Sequence, residues 1–466
     1  MNNVLIFNKL IVEECKIMNI LIVNGSPKAE YSITLQTCRY LEIMFPEHSF
    51  SYLHIGRKIK SLEKDFSPAI SMLSDAELII YSYPVYTFIA PSQLHKFIEL
   101  TKKSGIQLTG KYATQITTSK HFYDVTAHNY IEDNCHDMGL LYIKGLSADM
   151  DDLTKDKGRK EAVDFLKYVI WCTENSFFEM PKKVSRVTEA VFASVPENKC
   201  SDKTGDIVVV TDATDEDLSL NKMIDRFRAV VNRSTRVLNL HDFNMKGGCL
   251  GCMNCAVTSE CVYKDGFSEI LRNNIQSSEA IVYAFTIKDH SMGSLFKMYD
   301  DRQFCNGHRS VTMGRPVAYL ISGNYSDETN LQMILEGRGE VGGNFIAGIA
   351  TDEADTDYRI DKLCRNLEYA IENNFNKPAN FLGVGGSKIF RDLVYMMRGM
   401  MKADHKFYKE HNQYDFPQKH KAISMAMYLV GAMLGSDKIR AKMGNKMNEG
   451  MLMPYKKILD DAQKTK

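Results

Sequence analysis

Residues 18–34 read MNILIVNGSPKAEYSIT and carry the strongest structural signal in the chain. The apolar run 20–23 is typical of a buried parallel strand, and Asn24-Gly25-Ser26-Pro27 breaks that strand. The apolar pattern that follows Thr34 indicates a helix. A strand, a hydroxyl-rich loop and a helix N-terminus form a cradle for a phosphate group, because backbone N–H groups and the helix dipole favour an anion. The alternative is a plain strand-to-helix turn capped by a serine.

The same loop distinguishes among nucleotide-binding families. It lacks the G-x-x-x-x-G-K-[ST] pattern of P-loop NTPases and the G-x-G-x-x-G pattern of Rossmann dinucleotide sites. It resembles instead the first loop of the flavodoxin-like NAD(P)H-dependent FMN reductases, which reads roughly G-S-P-[RK]-x-x-[SG]-x-[ST]. The resemblance implies that the loop binds the phosphate of FMN. The residues predicted for this role are Ser26, Lys28, Ser32, Ile33 and Thr34.

Composition excludes several classes of protein. The chain has 466 residues, enough for two or three domains. Its 58 basic and 58 acidic residues cancel, so charge does not point to nucleic acid or to an anionic membrane. No apolar run is long enough to span a bilayer; the best candidate, 426–434, is too short. Residues 1–17 form an extension without the pattern of a signal peptide, and we expect a cytoplasmic protein.

Strands and helices alternate over residues 18–175. Apolar runs at 78–83, 112–117 and 140–146 predict strands, and helical periodicity predicts helices at 91–102 and 158–174. This order predicts an α/β fold with a doubly wound parallel sheet.

Two further strand ends carry candidate ligand groups. Ligands of such sheets bind at the carboxyl ends of the strands. In the resembled family these two strand ends flank the isoalloxazine ring of FMN, and Tyr86 taken alone is equally typical of a surface aromatic. The residues predicted for this role are Pro84, Val85, Tyr86, Thr118 and Ser119.

The chain then repeats its pattern after a polar linker at 176–204. The runs at 206–210, 279–283 and 316–322 follow the order and spacing of the first three strands named above. We therefore predict a second flavodoxin-like domain at 205–375. Its first loop, 211–217, carries four carboxylates where a phosphate would sit, so we expect no FMN phosphate there. An acidic helix N-terminus that suits the dipole explains the same residues.

The second domain has a cysteine motif that the first lacks. Cys249, Cys252, Cys255 and Cys261 follow the spacing C-x2-C-x2-C-x5-C, and the chain holds 11 cysteines in all. Thiolates suit iron–sulfur clusters or zinc, and three ligands in one short arc favour a [4Fe–4S] cluster over structural zinc. Zinc and unliganded reduced cysteines remain alternatives. The motif resembles that of the iron–sulfur flavoproteins, a branch of the same superfamily.

The two halves differ in complementary ways, since the first keeps the flavin loop and the second the cysteines. We therefore expect one FMN and one cluster to face each other across an internal pseudo-twofold interface. This hypothesis fails if the two sites lie on opposite faces of the molecule.

The predicted function is electron transfer between a reduced donor, FMN and the cluster. The resemblance implies NAD(P)H or a ferredoxin-like carrier as donor and a small molecule as acceptor. No separate catalytic residue set stands out. A non-enzymatic flavin and iron–sulfur carrier, and an FMN reductase with structural zinc, are the alternatives. The oligomeric state stays open, and a homo-oligomer is compatible with the resemblance.

Residues 376–466 are Met-rich and basic, and their pattern predicts a helical C-terminal extension. We expect a helical cap on the two domains. The alternative is a role at a membrane surface or in docking a partner.

Overall fold

The computed structural model describes residues 17–121, 124–181, 189–197, 203–438 and 446–464. Residues 1–16, which make up nearly all of the predicted N-terminal extension, lie outside the described residues. The described residues fall into two compact units that divide after Phe407.

The first unit begins with an α/β domain built on a parallel sheet. Its strands are β1 Asn19–Asn24, β2 Ser49–Leu53, β3 Leu78–Pro84, β4 Tyr112–Ser119, β5 Leu141–Tyr142 and β6 Leu146–Asp149. Its helices are α1 Ile33–Met44, α2 Ile55–Leu62, α3 Ser67–Asp75, α4 Ser92–Ser104, α5 Val125–Asp137 and α6 Asp156–Glu174. The strand order is β2-β1-β3-β4, with β5 and β6 both paired to β4, which is the flavodoxin-like order.

The core lies on both faces of this sheet, because side chains alternate along each strand. Leu21 and Ile79 pack on one face among α4 and α5 residues. Ile22 and Ile80 pack on the other among residues of α1 and α6. Strands buried on both faces read as continuous apolar runs, which is why β1 and β3 were visible in the sequence.

The strand predicted at 140–146 is wrong as a continuous element. It is divided into β5 and β6, and both pair with β4. Three residues, 143–145, stand opposite two residues of β4, 114 and 115, so the edge strand bulges. Gly145 sits in the bulge, where an added Cβ would lie 2.5 Å from the Gln115 carbonyl oxygen.

The second α/β domain repeats the plan of the first. Its strands are β7 Thr204–Thr211, β8 Arg233–Asn239, β9 Ala280–Lys288, β10 Ser291–Met292, β11 Pro316–Ser322 and β12 Phe345–Thr351. Its helices are α7 Leu218–Val230, α8 Asn254–Thr258, α9 Phe267–Ile270, α10 Ser294–Arg302, α11 Thr329–Gly342 and α12 Thr356–Glu372. The order β8-β7-β9-β11-β12 matches that of the first sheet, and β10 pairs antiparallel to β9. The prediction of two tandem flavodoxin-like sheets is therefore confirmed.

Equivalent helices of the two domains meet at their interface: α4 packs against α10, and α5 against α11. The Ser92 N–H, at the start of α4, donates to Asp301 Oδ2 at 2.8 Å. The Ser294 N–H, at the start of α10, donates to Glu99 Oε1 at 2.7 Å. Glu99 and Asp301 hold the same position in their helices, because α4 begins at Ser92 and α10 begins at Ser294. This reciprocity is the mark of a pseudo-twofold interface.

A buried cation neutralises one of these capping carboxylates. Lys297 is fully buried, and its Nζ lies 3.1 Å from Asp300 Oδ2 and close to Asp301 Oδ1. Burial raises the pKa of Asp301, and Lys297 opposes that rise. The ammonium also donates to the Tyr86 carbonyl at 3.2 Å. The α10 helix is therefore bonded to the first domain by buried charged groups.

The C-terminal extension is helical, as predicted. In the first unit, α13 Phe381–Met396 packs on α11, and Asp404 of α14 Lys402–Glu410 is buried against His308 and Arg309. The second unit contains α15 Lys421–Leu434 and α16 Lys446–Lys464. Of the helices in the described ranges, none is both long and apolar enough to cross a membrane.

The turn between β9 and β10 adds an ion cluster to the interface. His290 lies 3.0 Å from Asp137 Oδ2 of α5 and 2.9 Å from Glu328 Oε1. Burial by itself lowers the pKa of His290, but hydrogen bonds to Asp137 and Glu328 outweigh it and raise the pKa to about 10.

The first prediction follows from this pKa. Because the folded pKa of His290 lies above the unfolded value, its stabilisation is complete below about pH 6.5 and is lost as pH rises towards 10. We expect His290→Gln to lower the free energy of unfolding at about pH 6 by roughly 1 kcal/mol or more, and by less at about pH 9. Urea titrations at both pH values measure the difference, with the exposed His420→Gln as control. An equal effect of His290→Gln at both pH values would contradict the assignment.

Candidate functional site

The loop after β1 is organised by a buried asparagine. Asn24 is inaccessible to solvent; its Oδ1 accepts from the Ser26 N–H at 3.1 Å, and its Nδ2 donates to the Ala29 carbonyl at 3.2 Å. Ser32 caps α1 by accepting from the Leu35 N–H at 3.4 Å. Ser26, Ser32 and Thr34 are all buried. The loop is therefore a compact polar cradle with the positive end of a helix directed into it.

A glycine that sequence reasoning missed allows this loop to close. Gly56 is the second residue of α2, and an added Cβ there would lie 2.0 Å from the Ser26 carbonyl oxygen. A backbone atom at that distance leaves room for glycine alone. A lone glycine inside a helical pattern was the available signal. His54, beside it, lies 3.0 Å from the Asn24 amide and helps to fix the loop.

The ends of β3 and β4 join the cradle. The hydroxyls of Thr34 and Thr118 lie 2.6 Å apart, and the Val85 N–H donates to the Thr118 carbonyl at 3.1 Å. Three of the predicted strand ends thus meet at one edge of the sheet, at the switch point where ligands bind in such folds. The remaining predicted residues lie at its margin: Ile33 is 40% exposed, Lys28 and Pro84 are half-buried, and Ser119 donates to Asp124.

The turn after β3 is strained. Thr87 and Phe88 have φ angles of 52° and 72°, a region that β-branched and bulky residues rarely adopt. The N–H groups of Tyr86 and Ile89 donate to each other's carbonyls across the turn, at 2.8 and 3.2 Å. Strain of this kind persists where the surroundings enforce it and is concentrated at functional sites.

The cysteine loop of the second domain packs directly on this edge of the first. An added Cβ on Gly251 would lie 2.3 Å from Tyr86 Oη and 3.1 Å from Lys28 Cε, and one on Gly248 would lie 2.2 Å from Ser92 Oγ. The predicted flavin site and the predicted cysteine site are therefore in contact, on the same side of the molecule.

Two residues of the second domain that sequence reasoning missed enclose Tyr86. Its ring meets Phe304 edge-on with centroids 5.6 Å apart, and its carbonyl accepts from Lys297. Burial raises the pKa of Tyr86, and the nearby Cys249 and Asp301 raise it further. The phenol therefore keeps its proton. No local pattern marks Phe304 or Lys297, because only packing of the two domains brings them here.

A buried ion pair anchors the cysteine loop. Arg302, the last residue of α10, makes paired hydrogen bonds to Asp265 at 2.7 and 2.8 Å and donates to the Gly247 carbonyl at 3.2 Å. Its guanidinium also lies 4.6 Å from the centre of the Tyr263 ring. Hydrogen bonds from Arg302 hold the pKa of Asp265 well below its usual range. The helix that binds the first domain thus also positions the loop.

The cysteines of the loop have unequal surroundings. Cys249, Cys255 and Cys261 are half-buried and Cys252 is exposed. Burial raises the pKa of Cys249 to about 12 and of Cys255 to about 11, and Cys255 Sγ lies 2.9 Å from the Phe304 carbonyl. Four thiols on one loop are a suitable donor set for a soft metal. Within the described ranges, however, no three His, Cys, Asp or Glu side chains converge closely enough to hold an ion, so the loop is not a preformed metal centre.

In the second domain a carboxylate occupies the position of the cradle. Ser219 and Ser322 correspond to Thr34 and Thr118. Ser219 and Thr34 each lie in the first turn of the first helix of their domain, and Ser322 and Thr118 lie at the ends of β11 and β4, which hold the same position in the two sheets. Both serine hydroxyls donate to Asp352 Oδ2, at 2.6 and 2.5 Å, and Gly323 N–H donates to its other oxygen at 2.9 Å. Asp352 is 2% exposed. The hydrogen-bond donors that could bind a phosphate from solution therefore bind the Asp352 carboxylate instead.

The chain is similar to known flavoproteins. Residues 18–144 match the family described as NADPH-dependent FMN reductase. An iron-sulfur flavoprotein of Archaeoglobus fulgidus is 24% identical over 201 residues, which cover 41% of this chain and 91% of that protein.

Solved structures show similarity of the same extent. FerB of Paracoccus denitrificans, a flavoenzyme NAD(P)H:(acceptor) oxidoreductase, is 16% identical with a TM-score of 0.29, over 34% of this chain and 98% of FerB. The NAD(P)H:quinone oxidoreductase of Methanothermobacter marburgensis is 11% identical with a TM-score of 0.27, over 35% of this chain and 98% of that one. The loop after β1 and the strand order agree with this family match. Residues 18–144, most of the first α/β domain, are therefore similar in sequence to the NADPH-dependent FMN reductase family.

Proposed function

We propose that the chain is an FMN-dependent oxidoreductase that holds one FMN in its first domain. The observation that carries the proposal is the buried hydroxyl cradle at the N-terminus of α1, in the segment that matches the family. Ser26, Ser32 and Thr34 supply hydroxyls for the phosphate, and Lys28 supplies a positive charge. FMN, when bound, supplies hydride and one-electron chemistry.

The same proposal gives roles to the other residues at this edge. The strained turn that starts at Tyr86 and the end of β4 flank the flavin ring, and Phe304 closes the side that faces the second domain. A reduced nicotinamide or a ferredoxin-like carrier donates electrons, and a small molecule such as a quinone or a nitro compound accepts them. We place the enzyme in the cytoplasm, because the cysteines in the described ranges are free thiols, as expected in a reducing compartment.

The proposal extends to the second domain. We assign Cys249, Cys252, Cys255 and Cys261 as ligands of a [4Fe–4S] cluster that exchanges electrons with the flavin site. The contact of their loop with Tyr86 and Lys28 supports this assignment, as does the relative named an iron-sulfur flavoprotein. Because the four thiols do not converge in the described structure, binding the cluster requires the loop to close, and no catalytic step is derived through it.

The second prediction concerns the number and place of the flavins. We expect one FMN per chain, and we expect Thr34→Val to weaken FMN binding by about tenfold, roughly 1.4 kcal/mol, since it removes a buried hydroxyl donor. Fluorescence titration of the protein stripped of flavin measures the affinity.

The second domain offers the matched control. Ser219 is the counterpart of Thr34 but is bonded to Asp352, so Ser219→Ala should lower stability and leave FMN affinity unchanged. Two FMN per chain, or a loss of flavin in the Ser219 variant alone, would overturn the assignment of the site to the first domain.

The third prediction concerns the metal. Protein purified without oxygen should contain about four irons per chain and a broad absorption beneath the flavin bands. Cys252→Ser should remove most of the iron, and Cys135→Ala, a change to a buried thiol in α5, should not. Zinc in place of iron would make the loop a structural site, and flavin and iron without turnover of NAD(P)H would make the protein an electron carrier.

The fourth prediction tests the contact between the two sites. Gly251→Ala places a Cβ against Tyr86 and Lys28, and we expect it to lower FMN affinity by about tenfold. Gly314→Ala is the matched control, because Gly314 also has a positive φ, +84°, but an open surrounding. If both variants bind FMN equally well, the cysteine loop does not shape the flavin site.

A further inference from the structure

The second compact unit contains a helix that is apolar on every side. Between Lys421 and Asp437 the chain has no charged residue, and none of the 14 residues of α15 is buried. Tyr428 and Leu429, on neighbouring positions of the helix, are 81% and 65% exposed. The other large apolar side chains exposed along it are Ile423, Met425, Met427 and Met433.

Such a helix needs a covering, because a helix that is hydrophobic all round is normally buried in a protein or a membrane. Its length limits the kind of covering. At 1.5 Å per residue it is about 21 Å long, short of the roughly 30 Å of a bilayer core. Amphipathic helices bury about 5–10 Å into the boundary between lipid headgroups and acyl chains. α15 has no charged face, so its whole surface can be buried just below that boundary.

Charge at the helix ends indicates the kind of surface. Lys419 and Lys421 stand at its start, and Lys438 follows its end. In the sequence beyond, Arg440, Lys442 and Lys446 add further positive charge against the single carboxylate of Asp437. Basic residues close to an apolar insert attract anionic headgroups, at about 1 kcal/mol each near the surface, whereas the same charges repel a second copy of this segment.

The last helix of the unit has a compatible surface. Leu452, Tyr455 and Leu459 recur at helical spacing on α16, and each is more than 60% exposed. Tyrosines such as Tyr428 and Tyr455 are enriched where a membrane meets water, because their rings are apolar and their hydroxyls are wet.

We propose that α15 and α16 dock the protein on the surface of an anionic lipid bilayer, with α15 lying below the headgroups. The inference is independent of the proposed redox function, since none of its residues belongs to the flavin or cysteine sites. The whole chain has a net charge of zero, but the residues after 408 carry more basic than acidic side chains.

Vesicle flotation of the full-length protein tests the proposal. We expect binding to vesicles of phosphatidylglycerol and phosphatidylcholine, weaker binding by about tenfold to phosphatidylcholine alone, and loss of binding at high salt. Leu429→Glu should abolish flotation. Tyr358→Glu, on an equally exposed apolar residue of α12 at 63%, should not. Unchanged far-UV circular dichroism shows that both variants keep their helices.

Three results would overturn the proposal. The first is no flotation with anionic vesicles at low salt and no change of mass in the Leu429→Glu variant, which means that the chain itself covers α15. The second is flotation that Leu429→Glu leaves intact. The third is a change of mass in light scattering, from oligomer to monomer, caused by Leu429→Glu in a protein that never floats; a second copy of the chain is then the occupant.

Discussion

The packing of α4 against α10 sets the position of the second α/β domain against the first. Each helix begins against a carboxylate of the other, through Ser92 with Asp301 and Ser294 with Glu99. Capping a helix start contributes about 0.5–2 kcal/mol. Removing one member of a buried ion pair costs about 3–5 kcal/mol, because the other charge is left uncompensated, so Lys297 commits α10 to one register against the first domain.

From this register the arrangement of both predicted sites follows. Arg302, at the end of the same helix, holds the loop that carries the cysteines through Asp265, and Lys297 holds the carbonyl of Tyr86. Because a rigid helix joins these contacts, the cysteine loop cannot move far from the flavin cradle while the domain interface is intact. The two tandem domains thereby bring the predicted flavin site and the predicted cysteine site together within one chain, as the two subunits of a symmetric dimer can.

The two domains share a topology and have diverged at equivalent atoms. Thr34 and Thr118 hydroxyls bond to each other in the first domain, and their counterparts Ser219 and Ser322 bond to Asp352 in the second. The acidic loop 211–217 led to the expectation that no phosphate binds there, and the structure adds a stronger reason. An internal carboxylate with three donors already satisfies the groups that an external anion would need.

The buried strands β1, β3, β4, β7, β9 and β11, the first loop and the cysteine spacing could be read from the sequence, because buried strands and tight loops are local patterns. The strands β2, β8 and β12 were not predicted: β2 and β8 show no continuous apolar run, and β12 is only partly buried. The bulge at Gly145 was not predicted either. Three features became visible only in the folded chain: the cysteine loop meets Tyr86, Phe304 and Lys297 enclose Tyr86, and Asp352 fills the second cradle. These residues lie far apart in the chain, and no local propensity encodes a contact that the packing of two domains creates.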